Sequence, residues 1–260
     1  MDMNAGISFL VLFVFFHMIA DFVLVPDDRI GRGLNFRYTS IYLYLNASVF
    51  SLLSSTFVYF YFGLTKSIIL VVLFFILHLI IDIVMLRCDT LKCFILDQIM
   101  HIIVIIAVWI WLFPPASTMF SIQSCLINPT LICIIVVLLG YVIIFRPGGI
   151  IVSKLIKPFA QTANVNAGII SGGKWIGYIE RCLILTFILL HQYTAIGLLV
   201  TAKSILRYDD RDVSEYVLLG TLLSFGISVF IGIIVSLVLS FYLPGDMANI
   251  LRGLYNNSGN

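Results

Sequence analysis

The chain has 260 residues, of which 61% are hydrophobic and only 11% charged, with a net charge of +2. A soluble domain of this length carries about a quarter charged residues, so the composition excludes a soluble enzyme and implies a polytopic all-α membrane bundle. The near-neutral balance gives no argument for nucleic-acid binding, and strand-period alternation is absent, which disfavours a β-barrel.

Seven to eight spans are predicted. The first, about 7–25, stops at Pro26 and is followed by a polar loop with Asp27, Asp28, Arg29, Arg32 and Arg37. It lacks a positive n-region and a small-residue cleavage site, so it is expected to remain in the mature protein. The second (39–62) carries a soft stripe of Asn46, Ser48, Ser51, Ser54 and Ser55. The third (67–86) and fourth (93–113) are joined by a tight charged turn, which makes them antiparallel neighbours. Pro114-Pro115 closes the fourth span, and a neutral loop leads to the fifth (130–145). Residues 150–159 place Ile151, Val152, Leu155, Ile156 and Phe159 on one helical face, the pattern of an interfacial amphipathic helix on the cytoplasmic side. A Gly-rich polar loop, 161–174, precedes the sixth span (175–190). The seventh (193–205) is short, the most charged loop is 203–215, and the eighth span is 216–243. The tail 244–260 reads as disordered. One domain, 1–243, is expected.

Eight spans put Arg29, Arg32, Arg37, Arg87, Lys92, Arg146, Lys154, Lys157, Lys174, Lys203, Arg207 and Arg211 on one side, and only Lys66 and Arg252 on the other. That asymmetry makes the first side cytoplasmic and turns both termini outward in the cell membrane. The five cysteines, odd in number and mostly in apolar settings, argue against a disulfide framework. Cys88 and Cys93 could serve as soft ligands, although their spacing is not a usual zinc spacing.

Three spans each hold a His and an Asp four residues apart: His17/Asp21, His78/Asp82 and Asp97/His101. Positions i and i+4 share a helical face, and ionisable groups at membrane depth are costly unless they serve a site. In the predicted topology each Asp lies nearer the cytoplasm and each His about 6 Å deeper. The expectation is a layer of three carboxylates over a layer of three imidazoles. All six residues are candidate ligands for a divalent metal, Zn²⁺, Mn²⁺ or Fe²⁺, with one of Asp21, Asp82 and Asp97 left as a catalytic base. Gln98 could support Asp97. Two other readings use the same groups: a divalent-cation or proton transporter or channel, and interhelical polar contacts with no chemistry.

Around the sixth span, Lys174, Glu180, Arg181, Lys203 and Arg207 are candidates to bind an anionic headgroup. The stretch Gly168–Lys174 formally matches a P-loop, but Trp175 stands in place of the Ser/Thr and no strand precedes it. His191 is read as an interfacial residue.

The motifs His17-x₃-Asp21-Phe22-x-Leu24-x-Pro26, His78-x₃-Asp82, Asp97-Gln98-x₂-His101, Gly173-x₂-Ile176-Gly177-x₂-Glu180-Arg181 and Ala202-Lys203-Ser204-Ile205-x-Arg207 together resemble DUF3307, a bacterial and archaeal family of polytopic membrane proteins without a settled activity, over roughly residues 8–240. The resemblance implies topology and motif positions but no reaction. Intramembrane His and Asp are also used by membrane-bound metal-dependent hydrolases of another family, an analogy only. The expected function is a metal-dependent hydrolase or phosphotransfer enzyme. Its partners would be the lipid bilayer and a lipid-like or lipid-linked phosphate; homo-oligomerisation is left open.

Overall fold

The computed structural model describes residues 3–24, 40–85, 88, 90–113, 129–162, 167–208 and 215–242. The charged loop 26–38, Pro114-Pro115, Cys125, the Asp209–Asp212 run and the tail 244–260 lie outside them. The described residues are helical, with no strand: α1 (Met3–Met18), a π-helical turn (Ile19–Val23), α2 (Ile41–Phe62), α3 (Leu64–Met85), α4 (Leu91–Leu112), α5 (Pro129–Phe145), α6 (Pro147–Thr162), α7 (Ala167–Leu189), α8 (Tyr193–Tyr208) and α9 (Glu215–Tyr242). Among the described residues, six segments are long and apolar enough to cross a membrane: Gly6–Val23, Ile41–Phe62, Leu64–Met85, Leu91–Leu112, Thr130–Pro158 and Leu218–Tyr242. Tyr193–Ile205 is a shorter apolar helix. α7, with Glu180 and Arg181 inside it, is not among the six.

Two boundaries differ from expectation. α7 begins at Ala167, inside the stretch predicted as a Gly-rich loop. Each glycine costs a helix about 1 kcal/mol, which propagation along a 23-residue helix absorbs. α8 likewise runs past Ile205 and takes Lys203 onto a helix.

The chain forms two compact units, Met1–Ile135 and Val136–Asn260. In the first, α2 and α3 form a hairpin whose turn residue Gly63 has φ +82°, ψ 177°, backbone that a side chain would strain. Ser67 Oγ donates to the Ser55 carbonyl at 2.9 Å across this hairpin. α1 packs on α2 and α4, and the Trp109 indole N–H donates to the Gly6 carbonyl at 2.6 Å. The interior is aromatic: Phe13 meets Phe74 edge-on at 5.6 Å, and Phe74 meets Phe50 at 4.7 Å. Thr90 caps α4, accepting from Cys93 N–H at 3.2 Å.

A disulfide joins Cys88 and Cys93 across the α3–α4 turn. This corrects the expectation from cysteine number: an odd count leaves room for one local pair, and a tight antiparallel turn brings these two Cα atoms to 5.9 Å, within disulfide reach. Paired with each other, they are not metal ligands.

In the second unit α9 packs on α6 and α7, and α7 on α8. Close approach depends on small residues: a Cβ at Gly232 would lie 2.6 Å from Ile188 Cδ1, and one at Gly220 2.6 Å from Ile156 Cδ1.

Candidate metal centre

Three helices of the first unit deliver the six His and Asp side chains to one place. His17 leaves the last turn of α1 and Asp21 the π turn that follows. His78 and Asp82 come from α3, and Asp97 and His101 from α4. The imidazoles lie together, with ring centroids 4.3 Å apart for His78 and His101, 4.7 Å for His17 and His101, and 5.5 Å for His17 and His78. Phe50 of α2 lies against His17 at 5.7 Å and His78 at 5.3 Å.

The carboxylates interleave with the rings rather than pairing only within their own helix. Asp21 Oδ1 lies 3.1 Å from His78 Nε2, and Asp82 Oδ1 3.4 Å from His101 Nε2. Within helices, the separations are 3.7 Å for His17–Asp21, 3.3 Å for His78–Asp82 and 3.8 Å for His101–Asp97. The six form an unbroken alternation from His17 through Asp21, His78, Asp82 and His101 to Asp97. The imidazoles are 0, 1 and 3% exposed and the carboxylates 12, 15 and 20%, so each Asp is the more accessible member of its pair.

Short separations do not make these contacts hydrogen bonds. Both ring nitrogens of His17 and His78, and Nε2 of His101, are buried without a hydrogen-bond partner. All of these nitrogens but His17 Nε2 lie 3.1–3.7 Å from a carboxylate oxygen, and that attraction offsets part of the cost of burying them. His101 Nδ1 lies 3.0 Å from the Asp97 carbonyl oxygen. A carbonyl can only accept, so Nδ1 carries the proton, and in the neutral ring Nε2 keeps its lone pair, the arrangement that a backbone carbonyl imposes on metal-binding histidines. Gln98 donates to Asp97 Oδ2 at 3.1 Å, the supporting role expected of it.

Two ligand sets can be drawn, His17/Asp21/His78/His101 and Asp82/Asp97/His101, each with its donor atoms within 4.8 Å of one another. Four ligands at about 2.0–2.1 Å around zinc stand closer together than that, so closure on an ion takes side-chain movements of about 1 Å. The donor types fit Zn²⁺, Mn²⁺ or Fe²⁺. His101 appears in both sets but has one free nitrogen, so it serves one ion at a time.

The π turn and its support were not foreseen. Leu24 N–H bonds to the Ile19 carbonyl at 3.2 Å, five residues back. This wider turn, of a kind frequent at functional sites, carries Asp21 toward α3. Asn46 of α2, its amide oriented to satisfy both neighbours, donates to the Tyr42 carbonyl at 3.0 Å and the Ala20 carbonyl at 3.2 Å, inside the π turn. The nearest signals in the sequence were a polar Asn46 inside an apolar span and Pro26, which lacks the N–H to continue a helical ladder.

The three headgroup candidates whose side chains are described, Glu180, Arg181 and Lys203, do not converge. Glu180 and Lys203 pair with each other between α7 and α8. Arg181 turns the other way, toward α5 and α9. The side chains of Lys174 and Arg207 lie outside the described residues. His191 takes φ +57° at the end of α7, where Gln192 N–H bonds to Phe187 O at 2.8 Å; this is a helix-ending position usually given to glycine.

The model of the family described as Protein of unknown function (DUF3307) matches residues 9–128, a stretch that includes all six residues of the cluster. The resemblance is thereby borne out over that stretch; the motifs at 173–181 and 202–207 lie beyond it. No curated protein and no solved structure matches the chain.

Proposed function

We propose that the His/Asp cluster binds one divalent transition-metal ion and that the protein is a membrane-embedded, metal-dependent hydrolase or phosphotransfer enzyme acting on a lipid-like or lipid-linked phosphate. The observation that supports this most is the set of buried imidazole nitrogens without hydrogen-bond partners, with the His101 lone pair fixed at Nε2 by the Asp97 carbonyl. His17, Asp21, His78 and His101 would hold the ion. Bound there, it would polarise a phosphoryl oxygen and lower the pKa of a water. Asp97 is the most exposed of the three carboxylates and is steadied by Gln98, which suits it to accept that water's proton. Asp82, between His78 and His101, orients both rings.

The test is elemental analysis of full-length protein purified in mild detergent. The expected result is one Zn, Mn or Fe per chain, lost in His101→Ala and kept in His191→Ala, the histidine outside the cluster. Asp97→Asn should keep the metal and lose turnover of a lipid phosphate. Folded wild-type protein that takes up no metal from Zn²⁺ or Mn²⁺ would remove this reading. The second reading, an ion or proton pathway, is favoured by the unbroken imidazole–carboxylate alternation. Metal-independent proton flux in proteoliposomes, abolished by Asp82→Asn, would select it.

A further inference from the structure

The Cys88–Cys93 disulfide lies at the end of the α3–α4 hairpin nearer the carboxylates than the imidazoles. Asp82 is six residues before Cys88, and Asp97 is four after Cys93. Cys93, Asp97 and His101 recur every four residues, so they share one face of α4. Phe94, next to Cys93, meets the ring of Phe22 at 6.1 Å, and Phe22 follows Asp21 in the π turn. The bond thus ties together the helix ends that carry Asp82 and Asp97. It also adjoins the residue against which the turn bearing Asp21 rests.

The surroundings of both sulfurs favour the reduced pair. Thr90 Oγ1 lies 3.5 Å from Cys88 Sγ. A disulfide sulfur carries no hydrogen, so the hydroxyl donates, and the same donor would support a thiolate at Cys88. Cys93 lies in the first turn of α4, behind the Thr90 cap, where the positive end of the helix dipole favours negative charge, the setting of many redox-active cysteines. Arg87 and Lys92 are the sequence neighbours and add positive charge. Groups that stabilise the reduced form make a disulfide easier to reduce. Cys88 and Cys93 are half-buried, with exposed Thr90 and Lys92 beside them, which leaves the bond open to attack from solvent. Charge asymmetry predicts that this turn faces the cytoplasm, where disulfides that do form are mostly transient and redox-sensing.

We propose that Cys88–Cys93 is a thiol–disulfide exchange site, reduced by a dithiol, through which redox state sets the geometry of the His/Asp cluster. One thiolate of the dithiol attacks a cysteine sulfur, the Cys88–Cys93 bond breaks, and the other cysteine leaves as a thiolate. The second thiolate of the dithiol then attacks its own sulfur in the mixed disulfide and releases the first cysteine. Two electrons and two protons pass to the cysteines, and the dithiol ends as a disulfide. Reduction unties the hairpin end and lets Asp82 shift against His101, which it approaches at 3.4 Å between the helices. The consequence for an ion rests on the metal reading: the oxidised form should hold Zn²⁺ about tenfold more tightly, within what closing so short a loop contributes.

The test uses metal-free, full-length protein in mild detergent with isotope-labelled histidine. The imidazole signals are followed by NMR while reduced dithiothreitol is titrated against its oxidised form, and free thiols are counted by maleimide mass shift. The bond should open and reclose reversibly. The signals of His17, His78 and His101 should shift with it, while that of His191, in the second unit, stays fixed. The Cys88→Ser/Cys93→Ser variant should give the reduced spectrum at every dithiothreitol ratio. Zn²⁺ titrations of the two forms then read the difference in affinity. Cluster signals that follow the redox titration in a protein that takes up no metal in either form would remove the metal reading and support the switch. The proposal is overturned if dithiothreitol does not open the bond in folded protein, or if the cluster signals stay fixed when it opens. It is equally overturned if His191 moves with them, if the double variant still responds to dithiothreitol, or if both forms bind Zn²⁺ equally.

Discussion

At the scale of single residues, Asn46 shows how a side chain outside the cluster sets its geometry. Its amide supplies the hydrogen bond to the Ala20 carbonyl inside the π turn, and it is buried. Asn46→Ala leaves that carbonyl unpaired, so thermal stability should fall by about 1–3 kcal/mol. If the π turn positions Asp21 for an ion, metal affinity should fall with it by about 10–100-fold, the usual effect of removing an outer partner of a metal site. Asn46→Asp, which cannot donate when ionised, should do no better. A metal affinity unchanged in both variants would separate the π turn from the site. The i, i+4 His/Asp spacing was legible because helical periodicity alone puts such pairs on one face. Which ring each carboxylate would approach was not: the 3.1 Å approach of Asp21 to His78 is a contact between helices, and residue spacing within one helix carries no information about it.

At the scale of elements, the α3–α4 hairpin carries four of the six cluster residues and is closed by Cys88–Cys93. A loop of about six residues gains about 2 kcal/mol from such closure in the chain-entropy account. In purified, oxidised protein, Cys88→Ser should lower the unfolding midpoint by several degrees, and a reductant should bring the wild type down to the same value while leaving the variant unmoved. A wild type indifferent to reductant would show that the bond constrains nothing. The run of α7 back to Ala167 was hidden by Gly168, Gly172 and Gly173, which read as a loop until the rest of the helix supplies the cooperativity to include them. The partners of Arg181 were hidden for a related reason. Glu180 and Arg181 are neighbours in sequence but point about 100° apart on a helix, and the structure sends them to different helices.

At the scale of the whole molecule, the apolar runs were plain in the sequence, since their length and lack of charge decide membrane insertion before any packing does. Orientation is an expectation from charge asymmetry alone, which predicts that residues 87–92 face the cytoplasm. On that topology Cys88 and Cys93 should react with a membrane-impermeant maleimide only after cells are permeabilised and the disulfide is reduced, whereas Cys125 should react in intact cells. Labelling of Cys88 and Cys93 in intact cells, after external reductant, would reverse the predicted topology.

The π turn has one further consequence. It fits about one residue more into a turn of helix than the α form holds. Between Ile19 and Val23, chain length itself becomes a variable: the loss of one residue can be absorbed by reverting to an α turn, whereas the same loss elsewhere in α1 would rotate every later side chain by about 100°. The placement of Asp21 beside the cluster is therefore buffered against small changes in chain length within the turn that carries it.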